Sequence, residues 1–195
     1  MTKKILIGGI VGGIVMFIWG AVSHMALGLG EAGIKQLPNE DAVLAPLPAN
    51  LKESGFYFFP GMDQTPGMTK EQQKASEENW KKKYTTGPSG VLVYLAHGGE
   101  AMSPKQLLTQ FATDLITSLL AACLLAAAAG ALTGYGGRVL FVTLLGCLPW
   151  LAVNLPYWNW YGFPIDFTLA ALADGVIGFF LAGLVLAAMV KRPVN

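Results

Sequence analysis

Charge is the first thing this chain has little of. Only 13% of its 195 residues are Asp, Glu, Lys or Arg, about half the share of a soluble globular domain. The formal net charge is +1, so no global field draws nucleic acid or an acidic substrate. The one basic run, Lys81–Lys83, is too short for a nucleic-acid patch and reads as a solvated helix end. Histidine and cysteine are equally sparse, two of each. The sequence has no His-Glu-x-x-His, no cysteine pair at metal-ligand spacing and no haem-attachment motif. Cys123 and Cys147 both lie in apolar stretches and behave there as small apolar side chains, with no disulfide framework implied. No catalytic set is visible either. Ser23 and His24 are neighbours and would point about 100° apart on a helix, without a nucleophile elbow. Gly8, Gly9, Gly12 and Gly13 lie inside an apolar run, not between a strand and a helix as a phosphate loop requires. The expectation is a protein that is not an enzyme and carries no metal or obligatory cofactor.

What the chain has in excess is apolar length. Four blocks stand out, roughly Ile5–Leu27, Leu107–Leu132, Val139–Leu155 and Phe167–Val190. Each approaches the ~20 residues with which a helix crosses the hydrocarbon of a bilayer. The fold expected is an all-α membrane protein, a four-transmembrane-helix bundle with a small α/β extracytoplasmic cap between helices 1 and 2. Residues 1–27 form the first span, 28–104 the cap and 105–195 the remaining three spans. Lys3 and Lys4 followed by an apolar run have the look of a secretory signal. The run exceeds the usual signal core of about 7–15 residues, and it is read as a signal anchor.

Positive charge near span ends sets orientation. Lys3 and Lys4 precede span one, Arg138 falls in the link between spans two and three, and Lys191 and Arg192 follow span four. With four crossings all three places share a side, while Tyr157–Ile165 carries no Lys or Arg. Both termini are therefore expected in the cytoplasm and residues 28–104 outside, in a cell inner membrane. The lysines of the long stretch do not oppose this, because long loops cross largely regardless of charge.

The cap region carries its own signals. Asn39 before Glu40 and Asp41 reads as a helix start, kept short by Pro46 and Pro48. Phe56–Phe59 and Gly90–Ala96 read as strands. Thr69 and Gln72 match a capping box that opens a polar helix to about Lys83. A two-stranded ribbon is marginal alone and must lean on something.

Within the spans, Gly8, Gly9, Gly12 and Gly13 double the small-xxx-small pattern that lets helices approach closely. Their partner is a helix of this chain or of another. Pro149 removes a backbone hydrogen bond and kinks span three. Gly134, Gly136 and Gly137 read as a tight turn.

Polar residues inside hydrocarbon are costly and face a bundle interior. Gln110, Thr113, Asp114 and Thr117 share one stripe of span two. By helical rise His24, Asp114, Asn154 and Asp174 all reach the outer third. Three readings stay open. The residues fix helix register by hydrogen bonding, or they line an outward pocket for a small molecule, ion or lipid centred on Asp114 and Asp174. The third is a metal site at His24 with carboxylates, which two histidines in the whole chain make thin. His97 reads as a solvated loop histidine. Aromatic residues cluster just outside span three, at Trp158, Trp160, Tyr161 and Phe163. Such rings favour the headgroup level. They also suit stacking on a lipid, pigment or quinone, or a contact with a partner subunit.

Phe17-Ile18-Trp19-Gly20, Trp150 and Tyr161-Gly162-Phe163-Pro164 resemble elements of small uncharacterised four-helix bacterial membrane proteins. Those have a Trp in the first span and a late hairpin whose link holds aromatics and Pro. The resemblance covers the four spans, and no activity follows from it. The leading expectation is a non-catalytic accessory or scaffold subunit, packed against other membrane subunits and lipid through the glycine face, the aromatic link and the cap. The alternative is a ligand-binding or transport protein built on the polar pocket.

Overall fold

The structure, a computed structural model, describes residues 2–191. Arg192, one of the charges in the orientation argument, lies outside them. The chain forms two units, one of residues up to Lys35 and from Ala101 onward, the other Gln36–Glu100.

In the first unit, four helical stretches among the described residues are long and apolar enough to cross a membrane: Lys3–Ala26, Pro104–Ala128, Tyr135–Tyr161 and Ile165–Met189. The first is α1 (Thr2–Ala21), ending in a wider π turn at Val22–Ala26. A short 3-10 turn, Leu29–Glu31, follows. Gly33 then turns the chain at φ +75°, so close to the start of the last helix that a Cβ would stand 2.8 Å from the Phe167 nitrogen. Residues 28–35 thus belong with the helices, not with the insert as the sequence boundary had it.

The insert contains α2 (Glu40–Leu44), α3 (Leu47–Asn50), β1 (Gly55–Phe59), α4 (Lys70–Thr86) and β2 (Gly90–Tyr94). β1 and β2 pair antiparallel, with Tyr57 opposite Leu92. The Thr69 capping box is present in both directions. α4 then lies on the ribbon side of its unit. Its Trp80 indole donates to the Pro60 carbonyl at 3.0 Å, and Tyr84 stacks on Phe58. This is the support a lone ribbon lacks. Asn39 does precede α2, but in the left-handed conformation at φ 50° and without a side-chain cap bond. An Asn tolerates that backbone more readily than most residues, and the turn has used it for that instead.

α5 (Pro104–Ala128) opens with a second capping box, Ser103 with Gln106, and Pro at its first position. The third stretch is the irregular one. α6 (Tyr135–Leu145), α7 (Cys147–Pro149), a π turn at Trp150–Asn154 and α8 (Leu155–Tyr161) follow one another with a turn at Gly146. Pro149 cannot donate to the ladder and glycine is a poor helix former, so the regular hydrogen bonding breaks there. Two expectations are corrected. Trp158, Trp160 and Tyr161 stand in α8, not in a link, because the π turn at Trp150–Asn154 carries the helix on past Pro156. The reversal itself needs only Gly162, left-handed at φ 71°, and the two residues after it, before α9 (Ile165–Met189). Arg138 is likewise inside α6, not in the link.

α1 packs against α5 on one side and α9 on the other, and α6 packs on α9; α5 meets α6 over a short stretch. The interior is built from small residues. A Cβ on Gly9 would reach 3.0 Å from the Leu119 Cα, and one on Gly13 would reach 2.7 Å from the Leu115 Cα. Gly8 faces Leu186 and Met189 of α9 instead. The glycine faces of α1 are therefore used inside this chain. They are not free for another subunit. Gly146 and Gly175 meet backbone to backbone between the third stretch and α9. The fully buried cluster, Ala122, Leu125, Val142 and Leu186, lies where α5, α6 and α9 come together.

Donors from other helices enter α9 along its length. Trp150 donates to the Thr168 carbonyl at 2.7 Å and Tyr135 to the Leu184 carbonyl at 3.0 Å. Arg138, only 6% exposed, donates from Nε to the Ala187 carbonyl at 3.0 Å and from Nη1 to the carbonyls of Thr133 at 2.9 Å and Leu132 at 3.3 Å. A guanidinium at the carbonyl end of α9 is favoured by that helix's dipole, and its other bonds hold the turn that follows α5.

Candidate functional site

One cleft of about 480 Å³ lies within the helical unit, a volume ordinary for a small-molecule site. α1 contributes Phe17, Trp19 and Gly20, with His24 from its π turn; α5 contributes Gln110 and Asp114; α9 contributes Asp174, Gly178 and Phe179. Methionines at 16, 25 and 102 complete a mostly apolar wall.

The spacing explains the α1 face. Phe17, Gly20, Ala21 and His24 recur at helical intervals, so counting back from His24 would have found the other three. Trp19 fixes the joint with α9. Its Nε1 donates to the backbone oxygen of Asp174 at 3.1 Å, and its ring lies against Gly178, where a Cβ would come within 3.2 Å of Cδ1. Phe17 is held edge-on by Phe111, centroids 5.3 Å apart.

The two acids are served unequally. Gln110 donates to Asp114 Oδ1 at 3.0 Å, one turn along the same helix. Asp174 Oδ1 is buried and has no hydrogen-bond partner among the described residues. A buried carboxylate oxygen without a donor is expensive. His24 is exposed, and its Nδ1 lies 2.9 Å from Ser23 Oγ and 3.2 Å from the Gly20 carbonyl.

The cleft thus brings together His24, Asp114 and Asp174 from the sequence-derived set. It leaves out Thr117 and Asn154. Thr117 lies deeper on α5, beside the buried Ser118, where a Cβ on Gly12 would collide with the Ser118 hydroxyl and α1 closes on α5. Asn154 reaches a comparable height on the third stretch, which packs on α9 and not on α1. Height along a helix can be read from rise; side cannot. Among the described residues no group of three His, Cys, Asp or Glu side chains comes together to hold a metal.

The aromatic cluster is separate. Trp160 is 72% exposed and Trp158 is exposed beside it. Phe163 is half-buried, between Tyr157 at 5.3 Å and Phe167 at 5.5 Å. Cys123 and Cys147 are free thiols. Compared with protein-family models, curated proteins and solved structures, the chain matches none.

Proposed function

We propose that this is a multi-pass integral membrane protein that binds a small molecule in the α1–α5–α9 cleft, without chemistry on the ligand. Support for the membrane comes from the outer faces of the helices. Ile10, Ile14 and Ile18 of α1, Leu120 and Leu124 of α5, Leu144 and Leu148 of the third stretch and Phe180 of α9 are all exposed. Soluble monomers rarely show apolar surface on that scale, while lipid tails accept it. Inside, glycine, alanine, serine and threonine replace large side chains, the pattern of helices that associate without a hydrophobic drive between them. Lys3, Lys4, Arg138 and Lys191 then favour cytoplasmic termini, with the insert outside. We place the protein in a bacterial inner membrane on the same grounds as the resemblance in its spans.

The observation that carries the binding reading is the Asp114–Asp174 pair. Each acid costs about 2.5–3.5 kcal/mol at a bilayer centre. They come from helices far apart in sequence, open onto one cleft, and one retains a buried oxygen without a donor. Intramembrane acids in a cavity are functional by default. Gly20 supplies the test. It lines the cleft and has nothing within 4 Å of a built Cβ, so the side chain of Gly20→Leu starts into open space and takes up cleft volume. Native mass spectrometry from solubilised membranes should show a small-molecule adduct on the parent chain and none on Gly20→Leu. A bare parent chain, or an adduct indifferent to the filling, counts against the reading.

A second reading, the accessory subunit, is favoured by the exposed Trp158 and Trp160, which suit an interface hot spot or a lipid or pigment contact. Release of a larger membrane protein with the chain in the same experiment would support it.

A further inference from the structure

Resting on the binding reading above, we propose that the cleft takes an organic ammonium cation with an apolar tail. The charge balance of the walls is one-sided. The lining holds two aspartates and, among the described residues, no lysine or arginine. An anionic ligand would meet two aspartates there, with His24 the one other titratable side chain of the wall. The donor balance agrees with the charge. The Trp19 N–H is committed to the backbone oxygen of Asp174, not to its carboxylate, and Gln110 serves Asp114. Asp174 Oδ1 is buried and has no donor among the described residues. An ammonium group brings both positive charge and N–H donors. Phe17, Trp19 and Phe179 add aromatic rings to the wall, and aromatic rings attract cations. A bare calcium or magnesium ion fits less well, since it demands six or more oxygen ligands and the wall is mainly apolar. The methionines and Leu107 offer the adaptable surface that an alkyl tail packs on.

The test uses the full chain in nanodiscs of zwitterionic lipid, with empty nanodiscs subtracted for partitioning. Three probes of one length are titrated by calorimetry: octylammonium, octanol and octanoate. The expected result is saturable octylammonium binding, with octanol and octanoate about tenfold or more weaker. Asp174→Asn should lose about tenfold for octylammonium while leaving octanol unchanged. The three-probe ranking in the unaltered chain stands even if that variant fails to fold. Equal binding of octylammonium and octanol, or preference for octanoate, overturns the cation while leaving a ligand cleft. Absence of saturable binding by all three overturns the cation and removes the cleft reading with it.

Discussion

The indole nitrogen of Trp19 donates to the carbonyl oxygen of Asp174 at 3.1 Å, so the first and last long helices are joined at the very turn that carries the unpaired acid. The bond takes the backbone oxygen and leaves the carboxylate free. Trp19→Phe would keep a ring against Gly178 but lose the bond, at about 1 kcal/mol. A thermal melt in detergent should fall modestly, and octylammonium binding should weaken as the α1–α9 joint loosens. Unchanged binding with an unchanged melt would show that the bond positions nothing.

Arg138 should matter far more for stability. Its guanidinium holds the carbonyls of Leu132, Thr133 and Ala187, which no single ammonium reaches in the same geometry. Arg138→Ala is expected to cost about 2–4 kcal/mol in reversible unfolding, and Arg138→Lys most of that. A tolerated lysine would mean that charge alone acts there.

The glycines divide by what faces them. At Gly13 a Cβ meets the backbone of Leu115, which cannot swing aside. Gly13→Ala should therefore force α1 from α5 at about 1–3 kcal/mol. At Gly20 the space is open, and Gly20→Ala should be neutral or slightly stabilising by helix propensity. Equal melting temperatures for the two variants would contradict the close approach.

In the insert, the Lys81 ammonium, donating to Glu77 on the same face of α4, holds the Glu77 carboxyl below its ordinary range. A carboxyl lowered in the folded chain stabilises above its unfolded pKa, and that contribution is lost as pH falls through the lowered folded value. Amide exchange in α4 should therefore quicken, beyond the intrinsic pH effect, as the solution is taken down through the acid carboxylate range. Glu77→Gln should remove that part of the response. Both groups are fully exposed, so the effect is small and salt-sensitive.

Much of the architecture was legible because its signals are local. Apolar length marked the long helices, Thr69 and Gln72 marked the start of α4, and short aromatic and β-branched runs bounded by Gly and Pro marked the two strands. The Ser103–Gln106 box carried the same signal as Thr69–Gln72 and was overlooked beside the apolar run that follows it. What could not be read was lateral. Depth placed Asn154 level with the acids, but only packing shows that its stretch lies against α9 and outside the cleft. The same limit applied to the α1 glycines, whose spacing announces close approach without naming Leu115 and Leu119. Arg138 was misplaced because a charge flanked by Gly136 and Gly137 imitates a loop. Its role depends on the end of α9 being brought against the turn that precedes α6.

The central claim is that these helices stand in lipid. It is tested most directly by spin-labelling Leu120→Cys, with Cys123 and Cys147 replaced by serine, in reconstituted bilayers. Leu120 is 61% exposed midway along the outer face of α5. The account requires the label to relax readily with dissolved oxygen and hardly at all with a water-soluble nickel chelate. A label as open to the chelate as one placed at Lys82 of the insert would contradict it.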